Sequence, residues 1–486
     1  MKLQWKKVII PIMALLVIGV VLYILWNSGA FLPGWVVWEE NSIFDASGSY
    51  EISLTKKTVH ITYEKENIWD SPENVKVQQV LSFDIDHDDS DELIVLCWKR
   101  GRFGEHKPFW IEDDEKNWSQ HIFVYEYAGN EIRPKWMSSY IGQEVAFLSS
   151  GGNKNGDKWL FLTDPEGDVS YWRWKSWGFE KEDAEVSFVV FGDNLIHEPI
   201  YTYGLNHGGN FDFLYENVKE RIAESDIAVI NQETPFVKDS AEYGDYPRFG
   251  TPIQVGEAIA EAGFDVVTCA TNHALDRGVS GVHTTKEFFT SHDILCPGIQ
   301  TEEETERKPY EIIMRKGAKF ALFNYTYGLN GNALPGNCPF MVHLLEDEQQ
   351  VREDIKKAGE EADFVLVFVH WGTENSKEID DFQKKWADVF LDSKVDVVVG
   401  SHPHVLQPFE MLEGEDGHKM LVYYSIGNFV SAQPEKSCEK GGMAEFTVVP
   451  GKNGYEIAAY SLQPLTILWQ EGGGYTTILT EDDKEK

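Results

Sequence analysis

The chain has 486 residues, enough for two or three domains, and it carries 80 Asp and Glu against 43 Lys and Arg, a formal net charge of −37. That balance argues against nucleic acid as a partner and against capture of an anionic polymer by bulk charge; it describes a self-repelling, soluble exterior. Five scattered cysteines, Cys97, Cys269, Cys296, Cys338 and Cys438, form no CxxC pair and no disulfide framework.

Lys2, Lys6 and Lys7 precede an uncharged run from Val8 to Trp26. At about 1.5 Å per residue such a run nearly matches the roughly 30 Å hydrocarbon core of a bilayer. Basic residues only on the N-terminal side, with Tyr23 and Trp26 at the far interface, place the N-terminus in the cytoplasm and the bulk of the chain outside. Residues 1–33 therefore read as a single uncleaved anchor in the cell membrane. A cleaved signal peptide is the rival, disfavoured by the length of the run and by the poor cleavage site around Asn27–Phe31.

Residues 34–181 read as an all-β domain. Alternating runs such as Tyr50–Leu54, Thr58–Tyr63, Glu92–Leu96 and His121–Tyr127 have strand periodicity, and turn signals such as Ala128–Asn130 and Pro165–Gly167 separate them. A weak repeat joins strand, polar loop and strand twice: Asp84–Ser90 is one loop and Asn153–Asp157 the other. The unit resembles a propeller blade of the FG-GAP type, whose loops can hold calcium, and Asp84, Asp86 and Asp88 supply three oxygen ligands for it. A solvated acidic hairpin is the alternative, because Asp89 stands where Gly would ease the turn. Most of the 16 Trp fall before residue 180; they read as core and blade packing, with a sugar-stacking face as the other option.

From residue 182 to 472 the pattern changes to apolar strands alternating with helical stretches, Phe211–Glu224, Ile253–Ala262, Gly281–His292, Glu346–Ala362 and Phe382–Ser393, which implies a layered α/β fold. Strands at Lys419–Ser425, Met443–Val449 and Ile457–Leu468 are expected to form a second sheet. Residues 473–486 read as an acidic tail.

Five of the apolar strands end in the same kind of residue. Val186–Phe191 leads to Asp193 and His197, Ile227–Ile230 to Asn231 and Glu233, and Phe264–Ala270 to Asn272, His273 and Asp276; Phe364–Val369 leads to His370, and Val395–Gly400 to His402 and His404. In open α/β sheets, ligand groups sit just past the carboxyl ends of strands. One Asp there is usually a helix cap, and one buried His a core residue. Five recurrences of carboxylate, amide and imidazole, without Cys, point instead to Zn, Mn or Fe.

These residues, as Gly192-Asp193, Asn231-x-Glu233, Asn272-His273-x-x-Asp276-x-Gly278, His370-x-Gly372-x-Glu374, Gly400-Ser401-His402-Pro403-His404 and Ser425 to Phe429, resemble the CapA (poly-γ-glutamate capsule synthesis) family over roughly Glu185 to Leu468. Thr271, Gln232 and His197 depart from the pattern usual there. The resemblance implies a calcineurin-like metallophosphoesterase fold with two divalent ions (Mn, Zn or Fe). Glu233 would be shared between them, Asp193, His197 and His404 would complete one shell, and Asn272, His370 and His402 the other. His273 would protonate the leaving oxygen with Asp276 orienting it, and Arg248 would pair with an anionic group of the substrate, a phosphoester or an anionic polymer. Glu374, Gln407 and Asn428 read as supporting residues. Two functions follow: a membrane-anchored, extracytoplasmic metal-dependent hydrolase of capsule or envelope polymer synthesis, or a non-catalytic assembly or export component acting with capsule-synthesis membrane proteins.

Overall fold

The computed structural model describes residues 2–104, 107, 109–152, 158–452, 454–470 and 474–480. The second loop of the N-terminal repeat, Asn153–Asp157, and the charged end of the acidic tail, 481–486, lie outside them. The chain divides into two compact units, Met1–Asp183 and Ala184–Lys486.

The first unit begins with the helix Lys2–Asn27, whose Ile10–Asn27 stretch has a mean hydropathy of 2.3 and no buried residue. Three four-stranded antiparallel meanders follow: from Asn41–Phe44 to Glu66–Asp70, from Lys76–Phe83 to Glu131–Met137, and from Phe147–Gly152 to Gly178–Glu182. Each has strand periodicity, so each sheet presents an apolar face to the next. Ile52, Leu54 and Val59 of the first meet Val77, Val95 and Phe123 of the second. Ile94, Leu96 and Ile122 on the opposite face of the second meet Leu148, Leu160 and Leu162 of the third. Buried glutamines complete the second joint: Gln79 Nε2 donates to Leu148 O at 2.7 Å, and Gln120 Nε2 to Val145 O at 2.7 Å. Trp98 and Trp159 are core residues, whereas Trp177 is exposed.

The carboxylates of Asp84 and Asp86, in the Asp84–Ser90 loop, converge with that of Glu92, which opens the next strand. Lys135 Nζ lies 2.6 Å from Asp86 Oδ2 and 2.5 Å from Glu92 Oε1, so a lysine already supplies positive charge there. Asp88, expected as the third ligand, is not in this group; its Oδ1 accepts from the Ser90 amide at 2.9 Å and closes the turn. Produced alone, residues 34–183 are expected to melt cooperatively with β-type circular dichroism; a spectrum rich in helix would contradict an autonomous β domain.

The second unit is a four-layered α/β/β/α sandwich. One sheet has the order Val266–Thr268, Ile227–Gln232, Val186–Asn194, Lys440–Gly451, Gly454–Gln470, Gly474–Leu479, with Asn428–Val430 also paired to Val186–Asn194. The other has the order Glu311–Arg315, Ala318–Thr326, Phe364–His370, Val397–Ser401, Lys419–Tyr423, Phe409–Glu413. Strand alternation builds the layers. Phe188 and Val190 point to the inter-sheet core with Phe320, Leu366 and Val397, while Val189 and Phe191 face helices Gln254–Ala262 and Gly278–Ser291. On the far side, Val365 and Val367 pack on Glu348–Glu361 and Asp381–Asp392.

Two expectations are corrected here. The strands Lys440–Gly451 and Gly454–Gln470 do not form a second sheet of their own; they extend the first, because Val186 pairs antiparallel with Val448 and Phe191 with Met443. The stretch Phe211–Glu224 is a 3-10 turn, Asp212–Leu214, and a short helix, Lys219–Glu224. Phe211, Leu214, Tyr215 and Val218 are all buried, so apolar spacing persists without a continuous helix.

Candidate metal centre

The central strands Val186–Asn194, Ile227–Gln232 and Val266–Thr268 are parallel, and so are Ala318–Thr326, Phe364–His370, Val397–Ser401 and Lys419–Tyr423. The side chains that follow their carboxyl ends meet. Ligand atoms of Asp193, Glu233 and His404 lie within 4.8 Å of one another, as do those of Glu233, His370 and His402, so Glu233 is common to both groups. A third group joins His402 and His404 to Glu374, which is exposed. Asn272 Oδ1 stands 2.9 Å from His370 Nε2.

The backbone is shaped for this convergence. Gly192 passes so near the opposite loop that a Cβ would stand 1.9 Å from Gly427 O; only glycine lets the Asp193 strand approach there. His402 and His404 both have positive φ, 96° and 59°. Left-handed non-glycine residues are strained, and two flanking Pro403 are held because their rings are fixed on both sides. Tyr327 lies 4.6 Å from the His402 ring, and Asn428 Oδ1 is 2.9 Å from His404 Nδ1. Ser401 Oγ, 2.9 Å from His370 Nδ1, leaves Nε2 facing the cluster.

Charge in the cluster is unbalanced. Both Glu233 oxygens are buried without a hydrogen-bond partner, with His370 Nε2 at 3.6 Å and His404 Nδ1 at 3.9 Å. Burial pushes the Glu233 carboxyl up, but His404, His370 and His273 outweigh it and hold its pKa below the ordinary range. Burial likewise opposes charge on His404, yet Glu233 and Asp193 raise it to about 9. His402 goes the other way, lowered by burial and by the neighbouring imidazoles. Two buried carboxylates that draw a proton onto an imidazole are a site short of positive charge. Their oxygen and nitrogen donors fit divalent transition ions, with no thiolate among the grouped residues.

Around this cluster the expected residues divide. His273 Nδ1 lies 2.7 Å from Asp276 Oδ2, and the same carboxylate oxygen accepts from the Phe249 amide at 2.8 Å. Burial lowers the His273 pKa, but the Asp276 bond and the Glu233 charge leave it above the ordinary imidazole value. The structure does not bring His197 into the metal-ligand groups. It caps the helix Glu198–Asn206, its Nδ1 is 3.2 Å from the Ala432 amide, and its ring stands edge-on to Phe249. Arg248 is exposed in the Gly244–Gly250 turn. Gln407 Nε2 fixes the loop after His370 through Ser376 O at 2.9 Å.

Two residues had no role assigned from the sequence. Asn231 Nδ2 donates to Asp193 Oδ1 at 2.7 Å and fixes that carboxylate; its place two residues before Glu233 was the available signal. Arg277 donates to the carbonyls of Glu242 and Arg248 at 2.8 and 2.9 Å and pins the turn over His273. Its signal was weaker, an Arg directly after Asp276.

The family described as bacterial capsule synthesis protein PGA_cap matches residues 187–433. The chain is 26% identical over 328 residues to the capsule biosynthesis protein CapA of Bacillus anthracis, covering 63% of this chain and 75% of that one. It is 28% identical over 254 residues to the PGA biosynthesis protein CapA of Bacillus subtilis (strain 168), covering 49% and 64%. Similar solved structures include the calcineurin-like phosphoesterase YfkN from Bacillus subtilis, with a TM-score of 0.33, 14% identity and 58% and 90% coverage. A putative 5′-nucleotidase from Staphylococcus aureus aligns with a TM-score of 0.38, 11% identity and 62% and 57% coverage. With its motif series in order and the family match spanning half its length, the chain belongs to the bacterial capsule synthesis PGA_cap family.

Proposed function

We propose that this protein is a membrane-anchored, extracytoplasmic, metal-dependent phosphoester hydrolase acting in capsule or envelope polymer synthesis. The observation that carries the reading is Glu233: a buried carboxylate with neither oxygen in a hydrogen bond, common to two groups of ligand side chains. A purely structural partner in polymer assembly has no chemical need for a buried carboxylate that lacks hydrogen bonds, which is costly to keep.

The residues have separable tasks. Glu233 would lie between two ions. Asp193, oriented by Asn231, and His404, oriented by Asn428, would hold one; Asn272, His370 and His402 would hold the other. When bound, two divalent ions polarise a phosphoester and lower the pKa of water beside it. His273 holds a proton on the ring whose Nδ1 is engaged by Asp276, and it delivers that proton to the leaving oxygen. Phe249, packed edge-on to His273 at 4.8 Å, limits the ring's motion and shields it from solvent. Arg248, exposed on the turn that Arg277 holds, would meet an anionic group of an entering substrate.

A panel of phosphomonoesters and phosphodiesters, offered to the Mn- or Zn-loaded protein, tests the reading. Hydrolysis lost on chelation and restored by metal supports it. No turnover of any member by metal-loaded protein favours the assembly component.

The anchor has its own test. N-terminal sequencing of protein extracted from membranes should begin at or next to Met1; a mature chain starting near residue 30 would show a cleaved signal instead.

A further inference from the structure

The first unit contains a cavity that the proposed hydrolase chemistry does not use. Its volume is about 560 Å³, in the range of small-ligand sites, and its walls include Trp69, Phe103, Tyr125, Lys99, Arg100 and Lys107. Three cations in one cavity are unexpected in a chain with a net charge of −37. They are bonded to neutral acceptors: Lys99 to Phe103 O and Gly104 O, Lys107 to Glu112 O, and Arg100 to Asn27 Oδ1. Among the described residues one carboxylate lines the cavity, Asp114; it accepts from the amides of Arg102 and Glu115 and favours the charge on Lys99.

The cavity also adjoins the end of the apolar helix. The Arg100 guanidinium lies 4.0 Å over the Trp26 ring, Trp118 Nε1 donates to Trp26 O at 3.1 Å, and Lys57 Nζ reaches Ser28 O at 3.4 Å. Arg100 thus belongs both to the helix end and to the cavity wall. On the same connection between strands, Phe109 and Trp110 are 94% and 68% exposed and pack edge to face at 4.8 Å. Exposed aromatic rings on the connection that starts at Arg100, itself in contact with the helix end, suit the headgroup layer, and lysines and arginines on that connection attract anionic lipid.

We infer that this cavity and the Phe109–Trp110 pair form a membrane-facing surface that takes the anionic headgroup of a phospholipid. The inference rests on the anchor reading, because the helix sets the depth at which these residues meet the bilayer. An acidic peptide chain would satisfy the lysines equally. It would not account for the two bare aromatic rings, nor for a cavity wall shared with the helix end.

The test uses the full chain in nanodiscs. All five native cysteines are buried, so Phe109→Cys directs an environment-sensitive fluorophore to the surface. Discs of phosphatidylcholine alone are compared with discs that also contain phosphatidylglycerol, each with a lipid carrying a nitroxide near its headgroup. The expected result is a blue-shifted emission and at least about twofold stronger quenching with phosphatidylglycerol present, lost when Lys99→Glu and Lys107→Glu are combined. Equal quenching in both discs overturns the anionic headgroup, and so does quenching that survives the double charge reversal. Reversal of the quenching by a soluble glutamate oligomer overturns it in favour of an acidic peptide. A chain that does not enter discs at all contradicts the anchor, a separate outcome. The lipid comparison on the labelled chain stands even if the charge-reversed variant does not fold.

Discussion

Replacing Glu233 by Ala should strip the centre of most of its metal and bring hydrolysis to background. The side chain is common to two ligand groups, so its loss removes a donor from both and leaves two cations without the charge that offsets them. Losing a residue that merely orients a ligand weakens metal binding by roughly 10–100-fold; losing a shared ligand should exceed that. Glu233→Gln is the sharper form, since it keeps the volume and removes only the charge. Both variants should fold, because the inter-sheet core of Phe188, Phe320 and Leu366 lies elsewhere on the strands. Metal analysis after equilibration with limiting Mn or Zn checks the expectation; full retention of metal by Glu233→Gln would contradict a shared carboxylate.

His273→Ala should behave differently. Its Nδ1 is engaged by Asp276, and it is absent from the metal-ligand groups although it follows Asn272 directly. Metal content should therefore change little, while turnover of a substrate with a poor leaving group falls roughly a hundredfold or more, the usual range for a lost general acid. A substrate whose leaving oxygen needs no proton should be affected far less. That contrast separates proton delivery from general damage to the site. Unchanged activity of His273→Ala towards a poor leaving group would remove the acid role.

The ends of the strands were legible because chemistry repeats there. Asp193, Glu233, Asn272, His370, His402 and His404 each follow an apolar run, and a parallel sheet has to deliver such residues to one edge. Which sheet each strand joins was not legible. Lys440–Gly451 looks like any alternating strand, and only its long-range pairing with Val186–Asn194 places it in the first sheet. The strand Ala318–Thr326 gives no such signal, because no carboxylate or imidazole closes it; its Asn324 instead accepts from the Cys269 and Ala270 amides and fixes the loop before Asn272.

His197 stands outside the ligand groups despite its nearness in sequence to Asp193. It is four residues from Asp193, but the chain turns into the helix Glu198–Asn206 at that point and spends its Nδ1 on the backbone of Ala432. Arg277 shows the converse. Nothing in its spacing announces a role, yet it holds the Glu242–Arg248 turn through two carbonyls, which only the folded turn brings within reach.

The most direct measurement is the metal content of the purified protein after saturation with Mn or Zn and removal of free ions. Two ions per chain, reduced in Glu233→Gln and unchanged in His273→Ala, is the predicted result. A wild-type chain that retains no divalent metal would contradict the hydrolase account and leave the fold as a scaffold for polymer assembly.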